Sequence, residues 1–226
     1  MKSGTRQITG KTTVDALYEQ VKEKIISGTY PANQPLRQDA LAKEYGISRI
    51  PVREALFMLE GDGLVEFRPH KGAVVKPLCR QEVEELFHLR ALLEGDLLQR
   101  SIPKMTDTDL TYAAQALTAY DGVVGSARQS VRWFQLNWDF HAALYTPADQ
   151  PLALQLIQSL HANTDRYQRI QMSLRGSVPR AHNEHLEILN ACRAGQVDEA
   201  VRLTRAHILE SGRQVQDFLT ASEDGI

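Results

Sequence analysis

Apolar residues recur at helical spacing over most of the chain, and one short segment interrupts them. Val14, Leu17, Val21 and Ile25 fall three and four apart, with Lys22, Glu23 and Lys24 on the other face. That pattern predicts an amphipathic helix ending near Gly28. The stretch Tyr30-Pro31-Ala32-Asn33-Gln34-Pro35 reads as a turn. A short second helix is expected from Gln38 to Tyr45, stopping at Gly46. A third opens at Ile47-Ser48-Arg49-Ile50-Pro51-Val52-Arg53-Glu54-Ala55-Leu56. Ser48 is a suitable N-cap, and Pro51 falls in the first turn, where its missing N–H costs little. Two helices joined by so short a glycine turn form a helix-turn-helix. Gly61-Asp62-Gly63 then turns the chain into Leu64-Val65-Glu66-Phe67, the tip Arg68-Pro69-His70-Lys71-Gly72 follows, and Ala73-Val74-Val75 returns. This is the pattern of a β-hairpin with a cationic tip, a wing.

From Arg80 onward only long helical patterns remain. Val83, Leu86, Phe87, Arg90, Leu93, Glu94 and Leu97 mark a first helix of this part, and Thr106-Asp107-Thr108-Asp109 opens a second that ends near Asp121-Gly122. Others are expected over about Ala127–Tyr145, Pro151–Leu174, Pro179–Gly195 and from Val197 towards Leu219. Six helices with short connections make a bundle. The fold class is therefore mainly α: a winged helix-turn-helix over residues 12–77, joined to an all-helical domain over residues 80–220.

Composition adds limits to this picture. At 226 residues the chain accommodates one large domain or two ordinary ones, and its 42% hydrophobic and 24% charged residues are ordinary for a globular protein. No apolar run approaches the ~20 residues that cross a bilayer, and MKSGTRQITGKTT lacks a signal peptide's apolar core, so the expectation is cytoplasmic with no membrane partner. Cys79 and Cys192 make neither a disulfide framework nor a metal-type pair. The net charge of −2 divides unevenly. Residues 1–77 hold 12 Lys/Arg against 9 Asp/Glu, and residues 78–226 hold 14 against 19. A basic front and an acidic back suit a DNA-binding module attached to a domain that leaves DNA alone.

The placement of arginines says more than the net charge. On the third helix Val52, Leu56 and Leu59 form one buried stripe, while Arg49 and Arg53 lie one turn apart on another side. A recognition helix presents its N-terminal residues to the major groove, which puts Ser48, Arg49 and Arg53 where phosphates and guanine edges are met. Leu36-Arg37-Gln38-Asp39-Ala40-Leu41-Ala42, Tyr45 through Leu56, Leu59-Glu60 and Gly63-Leu64-Val65 resemble the GntR family of bacterial repressors. The resemblance implies a homodimer on a palindromic double-stranded DNA operator. It implies DNA contacts from Ser48, Arg49, Pro51, Arg53 and the wing tip His70, Lys71 and Gly72. Where many members carry an arginine before the second helix, this chain has Asp39; Arg37, two residues earlier, is the expected phosphate contact. An acid facing DNA would be repelled, so Asp39 is expected to cap its helix or face away.

Six of the seven histidines, at positions 88, 141, 161, 182, 185 and 207, fall in the helical part. Asn137 and His141 are one turn apart, and His185 and His207 sit midway along two other helices. A metal site in a bundle core can be built this way, although a lone helical histidine is more often a hydrogen-bonded core or surface residue. Glu85-Leu86 to Arg90, Leu93-Glu94, Asn137-x-x-Phe140-His141-x-x-Leu144, Glu184-His185-x-x-Ile188-Leu189, Ala200 and His207 resemble the FCD sensor domain of the FadR-type subfamily. That resemblance implies a divalent metal, zinc with nickel or manganese as alternatives, on Asn137, His141, His185 and His207. It also implies a small organic acid as effector, with Arg90 pairing to its carboxylate. Asn137 stands where many members have Asp; Asp139, ~200° around the helix from His141, is no substitute. His88, His161 and His182 are expected to be structural or surface residues.

These features predict a ligand-responsive regulator, a repressor, rather than an enzyme. A metallohydrolase reading meets no HExxH, no phosphate loop and no nucleophile elbow. Glu184 as its general base points ~100° from His185 on the same helix. A third reading, a constitutive DNA binder with a structural helical domain, predicts DNA affinity independent of metal and ligand.

Overall fold

The computed structural model describes residues 12–77, 79–121, 130–173 and 177–223. The chain divides into two compact units, Met1–Pro77 and Leu78–Ile226.

In the first unit α1 (Thr13–Ile26) begins at a capping box. The Thr12 hydroxyl accepts from the Asp15 N–H at 3.1 Å, and the Asp15 carboxylate accepts the Thr12 N–H at 3.0 Å. Helix α2 (Gln38–Tyr45) ends at Gly46, whose φ of +66° is the left-handed conformation that favours glycine at a helix end. Helix α3 (Arg49–Gly61) buries Val52, Ala55, Leu56 and Leu59 against Leu17 and Val21 of α1 and Leu41 of α2. Strands β1 (Val65–Arg68) and β2 (Gly72–Val75) pair antiparallel, from Val65 opposite Val75 to Arg68 opposite Gly72. The segment expected to be a plain turn does more. Pro35 bridges Val74, Leu36 N–H donates to Ala73 O at 2.8 Å, and Val75 N–H donates to Gln34 O at 2.9 Å. Those main-chain bonds tie the wing to the segment entering α2, which is why Leu36, Ala73 and Val75 share one core.

The second unit contains α4 (Arg80–Ser101), α5 (Asp107–Asp121), α6 (Ser130–Tyr145), α7 (Pro151–Ser173), α8 (Ser177–Arg193) and α9 (Val197–Glu223). No strand occurs among its described residues. Thr106 and Asp109 cap α5 reciprocally, as their spacing predicts. Helix α8 starts two residues before the expected Pro179. Pro179 is its third residue, within the first turn, where no backbone N–H is needed for the helix ladder. The predicted start at Ala127 and end at Leu174 lie outside the described residues.

Helices α4 and α9 are in close contact, with Val83, Phe87, Ala91, Tyr167, Ile208 and Val215 between them and α7. Their approach depends on Gly212, where an added Cβ would stand 2.7 Å from Cγ of Phe87. Helix α5 packs on α6 and α8. Together α4 to α9 bring side chains from five helices to one buried polar cluster.

Candidate functional site

In the first unit, Ser48 occupies the N-cap of α3, but its hydroxyl makes no capping hydrogen bond. Arg49 is the first residue of α3, Pro51 the third, and Arg53 follows one turn after Arg49; both arginines are exposed. The Arg53 guanidinium lies over the Phe57 ring at 5.3 Å, and Phe57 packs at a tilt against Phe67 of β1 with ring centroids 5.0 Å apart. An aromatic base thus limits the arginine's rotamers on the exposed face. Asp39 neither caps α2 nor faces away: it forms an ion pair with Arg49, the two side chains being 66% and 71% exposed. The acid is tolerated because the first residue of the next helix neutralises it. Arg37 is the N-cap residue of α2, without a side-chain cap. With Asn33, Pro35, Arg68, His70, Lys71 and Val74 it lines one depression beside the wing. His70 and Gly72 take the left-handed conformation, φ +62° and +70°, which closes the wing turn and leaves His70, Lys71 and Gly72 exposed. Arg68 is held back by Glu66 at 2.8 Å and Asn33 at 3.3 Å.

In the second unit His141 of α6, His185 of α8 and His207 of α9 converge: one ring nitrogen from each lies within 4.8 Å of the other two. All three are buried. The hydrogen bonds around them set which nitrogen is open. His141 Nδ1 meets the Tyr145 hydroxyl at 3.1 Å, and that hydroxyl donates to Glu94 at 2.7 Å, so the imidazole must donate and carry its proton on Nδ1. Its Nε2 is buried with no partner. His207 Nδ1 donates to Glu184 at 2.7 Å, which likewise leaves Nε2 as the lone pair. His185 Nε2 stands 3.3 Å from His207 Nε2. Two nitrogens bound to one tetrahedral zinc at ~2.0–2.1 Å are separated by about 3.3–3.4 Å, so this edge of the triangle already has the required length. Burial pushes the His185 and His141 imidazoles well below their ordinary pKa. Neutral imidazoles are the form that binds a metal.

Asn137 is buried one turn before His141 on α6. Asp139 accepts from Gln135 at 2.8 Å and is spent there. Arg90 is not an open anion site. It is buried, with Nε donating to Glu94 at 2.8 Å, one terminal nitrogen 2.9 Å from His161 Nε2 and the other 3.4 Å from Thr164. The physical reason is Glu94, wholly buried one turn away on α4, whose charge requires a cation. Burial raises the Glu94 pKa, but Arg90, together with His161 and His141, outweighs it and holds the carboxyl well below the usual range.

His161, expected to be a structural or surface residue, is buried and hydrogen-bonded within this network and stands outside the group of three converging histidines. Its ring lies 5.6 Å from that of His141, and Nε2 lies 3.1 Å from Glu94. Glu184, set aside because it diverges from His185, works across helices instead, joining His207 to Arg180 at 2.6 Å. Neither role has a signal in linear spacing. His88 is exposed, and His182 pairs with Asp121 at 2.6 Å.

A three-helix winged module with arginines on its recognition helix, in one chain with a helical unit built around buried histidines, defines a DNA-binding transcriptional regulator. Residues 13–75 match the family of bacterial regulatory proteins known as the gntR family, and residues 85–210 match the FCD domain. The chain belongs to the GntR family and carries an FCD domain. It is 24% identical over 216 residues to the HTH-type transcriptional regulator BphR of Paraburkholderia xenovorans, spanning 92% of this chain and 87% of that one. To the HTH-type transcriptional repressor RspR of Escherichia coli it is 24% identical over 208 residues, spanning 92% and 91%. A GntR-type regulator structure from Rhodococcus superposes with a TM-score of 0.72 at 21% identity, covering 89% of this chain and 96% of that one, which supports the fold. The family consists of regulators, not enzymes.

Proposed function

We propose that the chain is a dimeric repressor whose grip on a palindromic operator is modulated by a small carboxylate effector at a metal centre in the second unit. The observation that carries this is the convergence of His141, His185 and His207, all buried, with His141 Nε2 unpartnered and the Nε2 atoms of His185 and His207 facing each other at 3.3 Å, in a chain that also holds a DNA-reading module. His141, His185 and His207 hold the metal, with Asn137 the fourth candidate, and zinc suits an all-imidazole set. Bound there, the metal supplies a Lewis-acidic positive charge that attracts an anion. Three neutral imidazoles and one amide leave that charge unbalanced, and the nearby acids are already spent, Glu94 on Arg90 and Glu184 on Arg180 and His207. The effector brings the missing negative charge.

On DNA, Arg49 and Arg53 of α3 read bases in the major groove, while Ser48 and the peptide at Pro51 meet phosphate. Arg37, His70, Lys71 and Gly72 track the backbone beside the wing. Repression follows the function named for RspR. The test is to select a duplex from a randomised pool with the full chain and follow its binding by fluorescence anisotropy. A small carboxylate should alter affinity for the selected duplex with metal-loaded protein and leave it unchanged after chelation or in His185→Ala. Identical response in loaded and stripped protein would sink the metal-linked reading, and failure to select any sequence would sink specific DNA recognition.

A further inference from the structure

Resting on the metal-linked reading above, we infer that Tyr120 of α5 and Arg180 of α8 form the edge that recognises the effector's carboxylate, in place of the sequestered Arg90. Several polar atoms beside the histidine cluster are buried with hydrogen-bonding capacity unused: Arg180 Nε and His185 Nδ1 meet no protein partner, and the Tyr120 hydroxyl, which has the Trp133 N–H beside it, keeps its own proton to donate. Buried donors are almost always satisfied, so a group of them at one place calls for an occupant. Their positions tie them to the cluster. The Tyr120 ring stands edge-on to His185 at 5.2 Å, and α5 packs on α8. Arg180 is one carboxylate away from His207: its Nη1 donates to Glu184 at 2.6 Å, and Glu184 accepts from His207 at 2.7 Å.

The donor set specifies the ligand. An arginine Nε–H can only donate. The Tyr120 hydroxyl, a phenol protonated at neutral pH, can donate as well. Two donors, one of them cationic, suit an oxyanion, and a carboxylate can span from such an edge to a cation beside it. Arg180 keeps Glu184 and Gln214 on its other nitrogens, at 2.6 and 3.2 Å, so it is already oriented before ligand arrives. Arg180 to Glu184 to His207 is then a continuous hydrogen-bonded line from the carboxylate edge to a metal-holding imidazole. Arg90 lacks this opportunity because Glu94, His161 and Thr164 occupy its donors.

Calorimetric titration of acetate into the zinc-loaded full chain, with uncharged acetamide as control, tests the assignment. Acetate should bind and acetamide should not. Tyr120→Phe, which keeps the ring against His185, and Arg180→Lys, which keeps the charge but loses Nε–H, should each weaken acetate roughly tenfold or more. Zinc uptake measured separately by chelator competition should survive in Tyr120→Phe. Equal acetate affinity in wild type and both variants, with zinc still bound, would assign the buried donors to water alone and overturn the edge without touching the metal centre. Zinc-loaded wild type that ignores acetate would overturn the carboxylate assignment. Wild type that takes up no zinc would remove the reading on which it rests.

Discussion

Single side chains decide how the DNA face and the histidine cluster behave. Arg53 rests on Phe57, so its guanidinium is presented in a limited set of directions. If it reads a guanine, Arg53→Ala costs about 1–3 kcal/mol at a selected operator and far less on random DNA, measured by anisotropy on both. An equal loss on both would make it a phosphate contact. Asp39 holds Arg49 in an exposed ion pair. Asp39→Asn removes a negative charge from this face and frees the arginine, so affinity for random duplex should rise and its salt dependence steepen by roughly one phosphate contact. An unchanged slope would mean that neither group approaches DNA. Glu184 fixes the orientation of His207 through Nδ1. Glu184→Ala should lower zinc affinity by roughly 10–100-fold, the usual effect of losing a metal ligand's outer hydrogen-bond partner, as read by chelator competition.

Among the elements, those built from neighbouring residues were legible in the sequence and those built across helices were not. Helix α2 ends where Gly46 demands it, α3 buries the stripe Val52, Leu56 and Leu59, and the wing turns at Arg68–Gly72; each depends on spacing or on one glycine. Asp39 with Arg49, Glu94 with His161, and Glu184 with His207 join residues 10, 67 and 23 positions apart on different helices. Angular position along one helix sets Glu184 apart from His185 but does not say which residue of another helix will face it, and a resemblance that pairs Arg90 with an effector carboxylate does not show the buried Glu94 beside it. The close contact of α4 with α9 was equally hidden, because it rests on what two glycines omit. At Gly212 an added Cβ meets the root of the buried Phe87 ring, whereas at Gly95 it meets the flexible Arg205 guanidinium at 2.5 Å. Gly212→Ala should therefore destabilise by about 1–3 kcal/mol through overpacking, and Gly95→Ala by less, in paired denaturant melts. The reverse order would contradict the packing described for α4 and α9.

Across the whole molecule, stability and function meet in the buried cluster. Burial holds His141, His161 and His185 below the ordinary imidazole pKa. Below pH ~6.5 the unfolded chain takes up protons at these positions that the folded chain refuses, so stability falls as pH falls. Metal-free protein should thus melt progressively lower from pH 7 to pH 5, and a flat profile would contradict neutral burial of the three rings. The gntR-type match and the recognition helix account for DNA binding; what the second unit senses turns on whether its histidines hold a metal. The most direct measurement is a zinc titration of chelator-stripped full-length wild type and His185→Ala, read by competition with a chromophoric chelator. The account predicts one zinc per chain in wild type. In His185→Ala the loss should exceed the roughly 10–100-fold expected for an outer partner alone. Equal zinc binding by the two proteins, or none by wild type, would contradict it.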